Sequence, residues 1–354
     1  MPSKEDLPIE LQNRLQSLQD QLAAIAEDTQ DSLKANALLD LAKAEIEAEE
    51  FEAASTHLQE SLSLQAADST EKAAVHTELC AAYLGLSKME EAENEINAAI
   101  SIHQLQGEKA ALNKAIRQLA LIFAQKGKME EAEQLIHQKI EQTTAVEDWE
   151  EAGKFYGFAG ELASAQEDYQ VAFEYFRSGL KSLRKTEGNH DLMGGYYESL
   201  ARLLMHFQKN AEAAHSFEEG AAQYELANKP LLQGGLLTLV AKVWESEGKY
   251  MHAIPYLERA ATAFQQSEEQ SAAMQTADAY YQIAYLYEQE KQFAEALKYH
   301  QKALPFAHKT EDEMLIASVE DSIEQCQEKL QSQKPSKAKD GKKGFFGKLK
   351  DMFG

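Results

Sequence analysis

Apolar and small residues recur along the chain with two superimposed periods. Within short windows they fall three and four positions apart, the signature of amphipathic helices. Over longer distances the same arrangement returns about every forty residues. An alanine stands three positions after an aromatic, Met or Asn that is predicted to open a helix: Phe51–Ala54, Met89–Ala92, Met129–Ala132, Tyr169–Ala172, Asn210–Ala213, Tyr250–Ala253 and Phe293–Ala296. The alanines are spaced by 38, 40, 40, 41, 40 and 43 residues. Twelve positions before each alanine lies another small residue: Ala42, Cys80, Ala120, Gly160, Ala201, Ala241 and Ala284. One position earlier lie Leu41, Leu79, Leu119, Ala159, Leu200, Val240 and Ile283. Seven positions after each alanine come Ser61, Ala99, Lys139, Gly179, Gly220, Ala260 and Ala303, small in six of seven cases. Four columns kept in register over seven units are the mark of a repeat array.

These columns resemble the tetratricopeptide repeat over about residues 31–308. The resemblance implies an all-α fold, a right-handed superhelical solenoid of antiparallel helix pairs in which small residues stand where helices approach closely. The usual period is about 34. The longer units here resemble those of Pins-type polarity adaptors, kinesin light chains and bacterial peptide-responsive regulators. Some positions depart from the pattern. Gly127 and Gly248 occupy the turn within a pair, but Glu49, Glu167, Gln208 and Lys291 stand there in other units. A large residue is expected three after the first small one, yet units one and four have Glu45 and Ala163.

Flanking segments complete the expected organisation. Leu11, Leu15, Leu18, Leu22 and Ile25 make one amphipathic stripe, which predicts a capping helix within residues 1–28, with a short dimeric coiled coil as the alternative. Residues 29–309 hold the seven units. Leu315, Val319, Ile323, Cys326 and Leu330 predict a second cap over 310–333, because the last unit of an array would otherwise expose its apolar face. A polar linker is expected at 334–341, then a basic amphipathic helix at 342–354.

Composition narrows the function. The chain of 354 residues carries 35 Lys and Arg against 59 Asp and Glu, a formal charge of −24. Hydrophobic residues at 44% exclude disorder of the whole chain. The acidic balance argues against nucleic acid. The two cysteines, Cys80 and Cys326, predict a reducing, cytoplasmic setting without disulfides, and Cys326 reads as core. No signal peptide or membrane-spanning run is visible. No HExxH, CxxC, Walker loop, GxGxxG or nucleophile elbow occurs, and His300 with His308 finds no third ligand nearby in sequence. A non-enzyme without metal or cofactor is expected. The pairs Gly194-Gly195 and Gly234-Gly235 read as openers of first helices that keep the inner wall open.

In tetratricopeptide arrays the first helices line a concave groove that takes extended peptides or partner helices. The resemblance places Asn36, Lys43, Lys114, Arg117, Lys154, Arg202, His206 and Lys242 there, interrupted by Glu78, Glu161, Glu198, Glu245, Asp278 and Glu288. An acidic peptide or protein partner is expected. The alternatives are lysines that merely balance acidic neighbours, or an apolar partner helix. The chaperone-binding carboxylate clamp of the family does not match, because Leu39 stands at its first lysine.

Residues 330–354 hold seven lysines and two aspartates, a charge of +5 that leaves −29 for the rest. Lys342, Lys343, Phe345, Phe346, Lys348, Leu349, Met352 and Phe353 resemble the membrane-targeting tail of the MinD family of bacterial division-site ATPases. The resemblance covers about a dozen residues and implies weak peripheral binding to an anionic membrane, not ATPase activity. Docking of the tail on the solenoid or on a protein partner is the alternative. The reading as a whole is a membrane-recruited adaptor. A peptide-responsive regulator, or a vesicle-fusion adaptor resembling the soluble attachment proteins, is the runner-up. The oligomeric state stays open.

Overall fold

The computed structural model describes residues 7–25, 31–65 and 69–333, and among them the fold is all-α with sixteen helices and no strand. The chain divides into two compact units, residues 1–187 and 188–354. The first contains α1 (Ile9–Ala23), α2 (Asp31–Glu47), α3 (Phe51–Leu64), α4 (Thr70–Gly85), α5 (Met89–Gln106), α6 (Lys109–Gln125), α7 (Met129–Ala145), α8 (Trp149–Ala165) and α9 (Tyr169–Leu183). The second contains α10 (His190–His206), α11 (Asn210–Leu226), α12 (Pro230–Ser246), α13 (Tyr250–Phe264), α14 (Ser271–Gln289), α15 (Phe293–Thr310) and α16 (Glu313–Gln333). The seven openers, Phe51, Met89, Met129, Tyr169, Asn210, Tyr250 and Phe293, are the first residues of α3, α5, α7, α9, α11, α13 and α15.

Each pair packs through the small columns. Ala54, Ala92, Ala132, Ala172, Ala213, Ala253 and Ala296 are all fully buried. Ala42, Cys80, Ala120, Ala201, Ala241 and Ala284 are at most 2% exposed, so neither column has room for a larger side chain. In the third column Ser61 fits because its hydroxyl donates to the Ala35 carbonyl at 2.8 Å. Lys139 is the exception, and partial burial pushes its ammonium pKa below the ordinary value.

A further column escapes the sequence pattern. Seven positions before the first small residue stand Ala35, Ala73, Asn113, Gly153, Gly194, Gly234 and Ala277, all buried. A Cβ on Gly153 would sit 2.6 Å from Leu183, on Gly194 2.7 Å from the Tyr224 ring, and on Gly234 2.4 Å from the Phe264 ring. This corrects the reading of the Gly-Gly pairs. The first glycine of each pair admits an aromatic ring of the next helix, and only Gly195 and Gly235 face open space or loose contact.

All seven turns within pairs share one backbone solution. Glu49, Ser87, Gly127, Glu167, Gln208, Gly248 and Lys291 have φ between 57° and 76°. Five of the seven are not glycine, although left-handed backbone costs such a residue roughly 1 kcal/mol or more. The return is a Schellman closure: in the third unit Gly127 N–H donates to Ala124 O and Lys128 N–H to Phe123 O, at 3.0 and 2.8 Å. The equivalent long-range bond runs from Lys88 to Tyr83, Asp168 to Ala163, Lys209 to Leu204, Lys249 to Trp244 and Gln292 to Tyr287.

At one flank Leu15, Leu11, Leu18 and Leu22 of α1 pack on Leu41, Ala44 and Ala48. At the other, Val319, Leu315 and Ile323 of α16 cover Ala277, Ala303 and Ala307. No described helix is long and apolar enough to cross a membrane. The expected linker and amphipathic helix, with Lys342, Lys343, Phe345, Phe346, Lys348, Leu349, Met352 and Phe353, lie outside the described residues.

Candidate functional site

In the first unit α2, α4, α6 and α8 are the first helices of their pairs, and α2 touches α4 as α6 touches α8. That adjacency brings several predicted groove residues together. Lys43 lies 3.7 Å from Asp40 on its own helix. Burial raises the Glu78 pKa above the usual carboxylate range, and the nearby Lys43 and Lys114 oppose the rise. Arg117 Nη1 meets Glu151 Oε2 at 3.2 Å and its guanidinium lies 5.1 Å from the centre of the Phe155 ring. Lys154 Nζ is shared between Glu150 and Glu151 at 2.7 and 2.8 Å. Although burial works against it, Glu151 is held below the ordinary value by Lys154 and Arg117. Glu161 goes the other way, raised by burial with Arg117 opposing.

Glu151 is therefore the acid that sequence reasoning missed. It sits in the first turn of α8, where a carboxylate reads as a complement to the helix dipole. Its backbone N–H is capped by Asp148 at 3.3 Å, while its side chain is drawn inward between two cations. Arg117 and Lys154 are thus committed to a mostly buried carboxylate. Asn36 and Lys114 are exposed, and Lys114 has no ion pair among the described residues.

In the second unit Arg202 binds Glu198 of its own helix through two bonds, 3.0 and 2.6 Å long, yet remains exposed. His206 is exposed and stands edge-on to Phe207 with ring centres 5.7 Å apart. Lys242 is exposed, and it opposes the burial that raises the Asp278 pKa. In each unit the residues expected to line the groove are thus of mixed charge. Leu39, at the position of the clamp lysine, is buried in the core of the first unit.

The fold also assembles a cluster that no short motif announces. Glu288 of α14, His300 of α15 and Cys326 of α16 bring their carboxylate, imidazole and thiol atoms within 4.8 Å of one another. Glu288 Oε1 meets His300 Nε2 at 2.9 Å and accepts from the Cys326 thiol at 3.5 Å, and Lys329 donates to Glu288 Oε2 at 2.9 Å. His308, the sequence neighbour of His300 two turns on, is exposed and takes no part. The donor set would suit a borderline divalent cation. As built, however, burial and Glu288 push the thiol up to about 11, so it stays protonated and donates. The Lys329 ammonium already balances the carboxylate. The cluster reads as a buried hydrogen-bonded network in which Cys326 is fully buried and only the Nδ1 atom of His300 lacks a partner among the described residues.

No protein-family model matches the chain. No curated protein matches it either. Among solved structures it is similar to aspartyl phosphate phosphatase F from Bacillus subtilis, with 16% identity, 87% of this chain and 84% of that one covered, and a TM-score of 0.45. The apo form of the quorum sensor NprR from B. thuringiensis matches at 14% identity, covering 86% and 83%, with a TM-score of 0.48. A putative kinesin light chain with TPR-like repeats from Podosopora anserina matches at 16%, covering 56% and 96%, with a TM-score of 0.41. Likenesses this remote carry no function across.

Proposed function

We propose that this chain is a non-catalytic adaptor that holds an acidic, extended segment of a protein partner along its first helices. The supporting observation, in each compact unit taken by itself, is the exposure of first-helix cations, Lys114 in the first and Arg202 and Lys242 in the second, within a body of charge −29. Arg117 and Lys154 are less exposed and already meet Glu151, whereas Arg202, though bound to Glu198, keeps its side chain exposed. A mixed wall of this kind selects by charge pattern and by backbone contact, and exposed pairs contribute only about 0.2–1 kcal/mol each.

The test uses a fluorescein-labelled, glutamate-rich dodecapeptide and fluorescence anisotropy at low salt. Replacing Lys114, Arg202 and Lys242 together by Glu should weaken binding by about tenfold or more, while thermal unfolding stays unchanged because all three side chains are exposed. Equal affinity of the wild type and the triple variant would refute the groove.

The proposal extends to the lysine- and phenylalanine-rich residues 342–354, which supply the composition for peripheral attachment to an anionic bilayer. In liposome flotation the wild-type chain should rise with phosphatidylserine vesicles and stay at the bottom with neutral ones. Phe345→Glu together with Phe346→Glu should abolish the rise. Flotation indifferent to both changes would remove the membrane from the proposal.

A further inference from the structure

One repeat lacks a side chain that most of the others have. Three positions after the first small residue stand Tyr83, Phe123, Leu204, Trp244 and Tyr287, each buried or packed against a buried core cluster. In the first unit of the series the position is Glu45, buried and closed by His57 Nδ1 at 2.8 Å. In the fourth it is Ala163, and nothing takes the missing volume. A cavity of about 230 Å³ opens there, bounded by α7, α8 and α9, with Ile136, Leu162 and Ala163 as its apolar floor. Apolar cavities of about 150 Å³ already accept a benzene ring.

The mouth of the cavity is acidic. Glu133 and Asp168 are exposed at its rim. One repeat earlier the counterpart of Glu133 is Glu93, which meets the Lys126 ammonium at 2.5 Å. Lys126 corresponds in register to Gln166, so Glu133 receives a neutral amide at 2.9 Å instead. Its charge is therefore left uncompensated where its homologue's is matched. The Tyr175 phenol, held 2.9 Å from His137 Nε2, completes the wall, and its pKa is raised by burial and by the nearby Glu133.

An aromatic hole with a carboxylate rim has a complementary ligand. We infer that this cavity receives an aromatic side chain of a partner peptide flanked by lysine or arginine, the ring on Ala163 and the cation at Glu133 and Asp168. The guest ring replaces the one that four of the other repeats supply for themselves, as Tyr83, Phe123, Trp244 and Tyr287. The site is independent of the first-helix wall, since none of its residues belongs to that set.

Isothermal titration of the full chain with an acetylated lysine–tryptophan–lysine amide tests this. Saturable, salt-sensitive binding in the micromolar to millimolar range is expected. Substituting alanine for the tryptophan should abolish it, and glutamates in place of the lysines should weaken it about tenfold or more. Ala163→Phe fills the hole with the side chain found at Phe123, so it should raise the melting temperature and abolish binding. Glu133→Lys changes an exposed residue, keeps the fold, and should weaken the lysine peptide about tenfold while favouring the glutamate peptide. Binding retained in Ala163→Phe, equal binding of the alanine and tryptophan peptides, or no saturable binding at all would each overturn the assignment. If Ala163→Phe misfolds, Glu133→Lys and the peptide series decide it.

Discussion

Phe155→Ala should destabilise the first unit by about 3–5 kcal/mol. Phe155 is fully buried on α8, packed among Ile116, Ala120, Ile136 and Leu162 from α6, α7 and its own helix. Its ring also carries the Arg117 guanidinium on one face. Truncation leaves a void that three helices border, and none can close it without moving away from its own small-residue contacts. The chain provides its own readout, because it has two tryptophans and each unit holds one, Trp149 in the first and Trp244 in the second. In a Trp244→Phe background, denaturant unfolding followed at Trp149 should show a midpoint well below that of the parent. A shift under 1 kcal/mol would mean that α8 is not the keystone of that core.

The second large effect separates two adjacent glycines. Gly234→Val should cost about 1–3 kcal/mol, because a Cβ there would lie 2.4 Å from the Phe264 ring, which would have to shift to admit it. Gly235→Ala should be neutral or stabilise by up to about 1 kcal/mol, since its Cβ would meet nothing within 4 Å and alanine is the better helix former. Unfolding followed at Trp244 in a Trp149→Phe background reports both. Equal effects at the two positions would contradict the packing described for α12 and α13.

Much of the fold was legible because repetition amplifies weak signals. No single alanine marks a helix contact, but Ala54, Ala92 and Ala132 in register do, and their openers proved to be helix starts. The column from Ala35 to Ala277 was harder to see, since Asn113 and three glycines disguise it. Glycines invite a conformational explanation, whereas Gly153, Gly194 and Gly234 serve as space for a neighbour's side chain.

The candidate sites were less legible because they depend on partners far apart in sequence. Lysines and arginines could be assigned to the first helices, but whether each is exposed or neutralised turns on Glu151, 34 residues beyond Arg117. The Glu288, His300 and Cys326 cluster has intervals of 12 and 26 residues, which match no ligand motif. Ala163 and Glu45 break the same column for opposite reasons. One leaves a hole, and the other fills it with a carboxylate hydrogen-bonded to an imidazole.

The left-handed turns carry a consequence for how such a chain can be altered. Glycine, serine, glutamate, glutamine and lysine all adopt one conformation at the same place. The turn is therefore dictated by the helices on either side, not by the residue that makes it. Helix pairs cut at successive turns share the same connection at their ends. An array built this way can gain or lose a pair without inventing a new connection.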